Sequence, residues 1–248
     1  MSHEYTLHCK LSQYAYLEPK KFLERCKKEF GFKGKFSSIR GSEVGIVWNK
    51  DRAILVCRGT QGTSFNDIKA DMKAYKTKFQ GICWAHDGFK DEVEKNLDWV
   101  CKTFQDNDLY MKDISICGHS LGGAMAHLFA LYFSEAKSQR VVLYTYGSPR
   151  VGGWTFNRMM KQNHIEHHRF RNNNDVVPSV PFAIMGYKHY GTLHYINYYG
   201  NVRKQTYWQR FKDKLRGRWR ALQKGQPFDG VFDHSIGLYK KKIAKQFK

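Results

Sequence analysis

The residues best suited to chemistry lie in Ile114-Ser-Ile-Cys-Gly118-His119-Ser120-Leu121-Gly122-Gly123-Ala124. A short apolar run leads into Gly-x-Ser-x-Gly, and small helix-forming residues lead out. That is the pattern of a serine displayed on a sharp strand-to-helix turn. The glycines let neighbouring backbone come close. Ser120 then stands at the C-terminal end of the strand, and the Leu121 N–H points where an oxyanion would form. The same letters also describe an ordinary Gly-rich turn with no chemistry. A nucleophilic serine needs a base, and the base needs an orienting acid. On this kind of turn the chain order is serine, acid, histidine. Asp175 follows Arg169-Phe-Arg-Asn-Asn-Asn and precedes Val176-Val177-Pro178, just past a predicted strand. Sheets display ligand-facing groups at such strand ends. Glu135 and Glu166 fall within elements, on solvated faces. His234, at a predicted loop-to-helix start, is the candidate base. His164, His167, His168, His189 and His194 compete with it, several in or beside strands where a structural role is expected.

The elements that must position these groups alternate along the chain. Helices are predicted at Pro19–Phe30, Gly88–Gln105, Ala124–Phe133 and Gly153–Gln162. The second has Phe89, Val93, Leu97, Val100, Cys101 and Phe104 at steps of three and four. Strands are predicted at Glu43–Trp48 and Arg52–Cys57, joined by the turn Asn49-Lys50-Asp51. Further strands fall at Ile114–Cys117, Val141–Tyr146, His167–Arg171 and Thr192–Tyr198. Strands alternating with helices predict an α/β fold with a mostly parallel central sheet flanked by helices. With no repeat and no Pro/Ser-rich linker, residues 1–248 are expected to form a single domain.

Several motifs together resemble the class 3 lipases, the fungal-lipase-like branch of the α/β-hydrolases. Gly118–Gly123 matches the family's Gly-His-Ser-Leu-Gly-Gly. Cys57-Arg58-Gly59-Thr60 matches its Arg-Gly-Ser/Thr after an apolar strand, and His86-Asp87-Gly88-Phe89 its His-x-Gly-Phe. Gly147–Gly152, Asn174–Pro178 and Asp233-His234 match the remaining three, in order from Val44 to Leu238. The resemblance implies Ser120 as nucleophile, Asp175 as orienter and His234 as general base. It also implies an oxyanion hole of Thr60 with Leu121, and hydrolysis of carboxylic esters with no metal or organic cofactor. Cys57 stands where the family commonly has Phe, which puts a smaller side chain behind the hole.

In this family a lid follows the Arg-Gly-Thr motif. Phe65, Ile68, Met72 and Tyr75 share a narrow arc of a helix, which fits either a lid or a helix packed permanently on the core. A second segment, 207–224, forms a basic C-terminal helical elaboration inserted before His234. Trp208, Phe211, Leu215, Trp219 and Leu222 form its apolar stripe, and Lys/Arg residues occupy the flanks. Tryptophan on one side and cations on the other is the composition of an interfacial helix. Trp208, Phe211, Leu215 and Trp219 are candidates for membrane contact; the same pattern also fits a surface helix whose stripe packs on the sheet and whose charges are solvated.

Composition narrows the function classes. The 248 residues carry 42 Lys+Arg against 22 Asp+Glu, a net charge of +20. Residues 200–248 hold 14 of the cations and only 3 of the acids. Such a patch attracts a polyanion, either nucleic acid or an anionic membrane. No nucleic-acid-binding motif is present, so peripheral contact with an anionic membrane is the favoured partner beside a lipid ester substrate. No apolar run approaches the roughly 20 residues of a membrane span. The N-terminus lacks the features of a secretory signal. A cytoplasmic or peripherally membrane-associated protein is therefore expected, with six reduced cysteines. A soluble short-chain esterase, a silent lipase-like scaffold and a basic nucleic-acid-binding protein are the competing readings. Oligomeric state has no signature in the sequence.

Overall fold

The computed structural model of the chain describes residues 2–59, 75–203 and 232–247, with 208, 209, 212, 213, 215 and 219. Among these residues the main sheet has eight strands. They are β1 (Lys33–Ile39), β2 (Ser42–Trp48), β3 (Arg52–Cys57), β6 (Asp113–His119), β7 (Val141–Tyr146), β8 (Glu166–Asn172), β9 (Thr192–Ile196) and β10 (Val202–Arg203), adjacent in that order. Pairing from β3 through β9 is parallel, while β1, β2 and β10 are antiparallel additions at the two edges. A separate hairpin joins β4 (Lys76–Phe79) to β5 (Cys83–His86).

The central strands are apolar throughout because both faces of the sheet are covered. Along β3, Ala53, Leu55 and Cys57 point into one core, and Ile54 and Val56 into the other. The first core packs under helices α3 (Asp87–Asp106), α4 (Leu121–Lys137) and α5 (Trp154–Gln162). The second packs under α1 (Ser2–Tyr14), α2 (Pro19–Phe30) and α6 (Ile236–Gln246). Helix α4 is the most enclosed, since every residue from Gly122 to Leu131 is buried. Each large apolar side chain in it contributes roughly 1.5–3 kcal/mol by leaving water. The core thus holds the serine-bearing turn from behind.

The predicted strands and helices fall on these elements, with ends shifted by a few residues. The Asn49 turn is held by its own side chain, whose Oδ1 accepts from the N–H groups of Asp51 and Arg52 at 3.0 Å. The last predicted strand stops at Ile196, where Asn197–Gly200 turns back into β10. Helix α1 has no counterpart in the sequence reading. Tyr5, Leu7, His8, Cys9, Leu11 and Tyr14 are all buried, since α1 is covered by the sheet on one side and α6 on another. A helix buried on more than one side shows no single apolar stripe. Strand β1 was hidden by its two lysines, which suit an edge position. All six cysteines are free thiols, and only Cys101 is not fully buried.

Candidate active site

The turn between β6 and α4 carries Ser120 with φ +58° and ψ −129°, a left-handed backbone that a non-glycine residue adopts only under constraint. The Ser120 N–H donates to the Tyr146 carbonyl at 3.0 Å, and the Ser120 carbonyl accepts from Gly123 and Ala124. The glycines of the motif are required by close approach. A Cβ on Gly122 would lie 2.2 Å from the Cys57 carbonyl oxygen, and one on Gly118 would lie 2.2 Å from the Gly122 oxygen. The start of α4 therefore rests against the end of β3. There the N–H groups of Leu121 and Gly122, the first two of the helix, have no intrahelical acceptor.

Ser120, Asp175 and His234 come together from three separate elements. His234 Nε2 is 2.8 Å from Ser120 Oγ. His234 Nδ1 is 3.0 Å from both Asp175 oxygens. A carboxylate only accepts, so Nδ1 carries the proton and Nε2 presents a lone pair to the serine hydroxyl. Asp175 is fully buried and has further donors. The Val177 N–H reaches Oδ1 at 3.0 Å, and the Tyr239 hydroxyl donates to Oδ2 at 2.6 Å. Gly147, at φ +58°, passes directly beneath this pair. A Cβ there would sit 2.7 Å from Asp175 Oδ2 and 2.9 Å from His234 Nδ1.

A second set of residues, to which the sequence assigned no role, joins Asp175 to His234. Asp233 is buried. Its side chain accepts from Asn172 Nδ2 at 3.1 Å, Asn173 Nδ2 at 3.3 Å and the Asn174 N–H at 3.1 Å. Lys242 Nζ donates to Asn172 Oδ1 at 2.6 Å and lies 3.8 Å from Asp233. The Tyr239 hydroxyl, which donates to Asp175, in turn accepts from the Asn172 N–H at 2.9 Å. Burial, and then the Asp175 charge, push the Tyr239 phenol far above its ordinary range, so it remains a donor. The run of three asparagines before Asp175 was the available signal for this network. Tyr239, five residues beyond His234, had none.

His119 braces His234 from behind. Its Nε2 donates to the His234 carbonyl at 2.7 Å, leaving Nδ1 to accept from the Tyr16 hydroxyl at 2.8 Å. Tyr16 in turn accepts from the Gly59 N–H. Burial, reinforced by the neighbouring His234, holds His119 neutral, well below the usual imidazole range. The chain from Gly59 through Tyr16 and His119 thus ties the end of β3 to the histidine turn.

The competing histidines lie elsewhere. His167 pairs with Thr145 Oγ1 at 2.8 Å, His189 donates to the Pro178 carbonyl at 2.7 Å, and His168 contacts Glu166 and His194. His164 is exposed at a positive-φ turn. Glu135 is engaged by Asn163. Thr60, Phe65, Ile68, Met72 and Phe211 lie outside the described residues, and Tyr75 is exposed. Trp208, Leu215 and Trp219 are helical and exposed. Asp213 is the acid among the basic residues. It is buried and accepts from the Tyr195 hydroxyl at 3.1 Å and the Tyr198 N–H at 3.0 Å, which fastens this point of the segment to the end of β9. Among the described residues no helix is long and apolar enough to cross a membrane.

The profile of the family described as Lipase (class 3) matches residues 54–185 of the 248. The chain is similar to the toxin TseL of Vibrio cholerae, 32% identical over 184 residues, covering 58% of this chain and 28% of the relative. It is 36% identical over 119 residues to a lipase of Rhizomucor miehei, covering 45% and 32% of the two chains. It thus spans about a third or less of the length of these curated relatives. Among solved structures it resembles a Rhizomucor miehei lipase in complex with its propeptide. That match has a TM-score of 0.69 at 26% identity over 79% of this chain and 66% of the other. A triacylglycerol lipase whose catalytic centre is formed by a serine protease triad gives a TM-score of 0.69 at 25% identity, over 78% and 79%. The chain belongs to the class 3 lipase family and has the α/β-hydrolase fold.

Proposed function

We propose that the chain is a serine hydrolase of lipid carboxylic esters. Ser120 is the nucleophile, His234 the general base and Asp175 the group that orients it. The observation that carries this reading is the unbroken path from Asp175 through both nitrogens of His234 to Ser120 Oγ, with each step at 2.8–3.0 Å. As Ser120 Oγ bonds to the acyl carbon, its proton passes to His234 Nε2, and Asp175 stabilises the imidazolium. The Leu121 N–H, with Thr60 as its partner, holds the developing oxyanion. One such donor is worth about 3–4 kcal/mol in the transition state. The imidazolium returns the proton to the departing alkoxide. Water, deprotonated by the same nitrogen, then releases the fatty acid and restores the serine.

The finer reading is action on phospholipid or other acyl lipid at anionic membranes. The 207–224 segment contributes contact through Trp208, Phe211, Leu215 and Trp219. Its support is the cationic surplus of residues 200–248 and the exposure of both tryptophans. A panel of chromogenic esters of increasing chain length tests the chemistry. Turnover should rise with chain length, increase sharply once the substrate aggregates, and fall by roughly 10⁵-fold in Ser120→Ala. Turnover independent of Ser120 at every chain length would remove the assignment.

A further inference from the structure

Loops leaving the C-terminal ends of parallel strands emerge at one end of a sheet. Those after β7 and β8 therefore share the end that displays Ser120. They build a fixed rim together with the β4–β5 hairpin. Gly152 forms β-bridges to both Ala85 and Lys188, and the Arg150 N–H donates to the Val180 carbonyl at 2.8 Å. Lys76 Nζ reaches across from the hairpin to the Met185 and Gly186 carbonyls at 3.1 and 3.3 Å, beneath a turn closed by Gly186 N–H to Ala183.

This braced turn carries its apolar side chains outward. Ile184 is 95% exposed, and Phe182 and Met185 beside it are about half exposed. Trp154, at the first turn of α5, is 73% exposed, with Lys188 Nζ 3.5 Å from its ring centre. Arg158 and Lys161, one and two turns along α5, are exposed and line a surface groove of about 440 Å³ with Trp154. No Asp or Glu occurs in residues 136–165 or 176–212, and Asp175 in the loop after β8 is buried; the acid beside the hairpin, Asp87, is engaged by Thr77 and Lys90, so the exposed loops of the rim are cationic.

We propose that this rim is a docking surface for bilayers containing anionic phospholipid. It is distinct in sequence from the 207–224 segment and sits at the end of the sheet where lipid must reach Ser120. The inference rests on the lipid-ester reading above. Exposed aliphatic groups on a braced turn are not explained by packing, and contiguous exposed apolar groups mark interaction sites. Cations around an apolar centre are the chemistry of a surface that inserts shallowly among acidic headgroups. A second copy of the chain would bring like charges together, and a nucleic acid offers Ile184 and Met185 no apolar environment.

The test uses the full chain carrying Ser120→Ala, so that vesicles stay intact, sedimented with vesicles of phosphatidylcholine alone or mixed equally with phosphatidylglycerol. The parent should bind the mixed vesicles more strongly. Trp154→Ala with Ile184→Asp should lower that partitioning by about tenfold or more. The thermal midpoint should stay unchanged, because both side chains are exposed. Trp208→Ala with Trp219→Ala should leave a measurable part of the binding. Parent-like binding by the rim variant, with loss confined to the Trp208/Trp219 variant, would overturn the rim and leave the basic segment as the contact. A parent that binds neither vesicle would overturn both membrane surfaces, while the chemistry is judged separately on soluble esters. Vesicle-free self-association abolished by the rim variant would overturn the proposal in favour of a second copy.

Discussion

Ser120 and its two partners are held by different physics. Ser120 is fixed by backbone alone: a strand end, a left-handed residue, and glycines that let α4 lie against Cys57. Asp175 and His234 sit 59 residues apart in sequence and are held by side-chain hydrogen bonds through Asn172, Asn173, Asp233 and Tyr239. The first arrangement is local and packed, so it fails all at once. The second is a distributed polar network, whose members share the load and fail one at a time.

Four experiments can break or sharpen that contrast. Gly122→Val should have the largest effect. The added atoms would meet the Cys57 carbonyl from 2.2 Å, and the protein should be recovered only in the insoluble fraction. Soluble, active protein would mean that the turn is adjustable.

Acid comes next, because it reaches the supports of the elbow. Burial, partly offset by contacts with the Gly123 and Glu4 carbonyls, depresses His127 under the elbow and His8 against β6 to about 4. In the unfolded chain such groups titrate near 6.5. Unfolded protein therefore binds more protons between these values. The stability gained by keeping them neutral is complete above about pH 6.5 and is lost as pH falls towards 4. The thermal midpoint should drop steadily across that window, and a flat profile would contradict the buried neutral assignment.

Asp233→Ala should follow. It removes the acceptor shared by three asparagines and should lower kcat by about 10–100-fold, with KM nearly unchanged, because substrate does not touch it. Tyr239→Phe should have the smallest effect. One donor of several to Asp175 is lost, and a three- to tenfold fall in kcat is expected, about 1 kcal/mol. If Tyr239→Phe cost more than Asp233→Ala, a single bond rather than the network would hold the acid.

The same contrast explains what was legible in the sequence. The elbow could be read because its requirements fall within six consecutive residues, Gly118–Gly123. The buried strands β3 and β7 could be read because strands covered on both faces are continuously apolar. The choice of His234 over five other histidines needed family resemblance, since the contacts that select it span more than a hundred residues, as the His119 contact to its carbonyl does. Helix α1 and Tyr16 stayed hidden for the same reason. Their burial comes from elements that arrive much later in the chain. The exposed rim at Ile184 was also unreadable, because Pro181-Phe-Ala-Ile-Met185 looks like core until the turn is seen to face outward.

The central claim is that His234 activates Ser120 as an acyl-accepting nucleophile. Mass spectrometry after treatment with a long-chain fluorophosphonate tests it most directly. One adduct per chain, located on Ser120, absent from Ser120→Ala and formed far more slowly by His234→Ala, is the predicted result. Labelling at another residue, or labelling of Ser120 at an unchanged rate in His234→Ala, would contradict it.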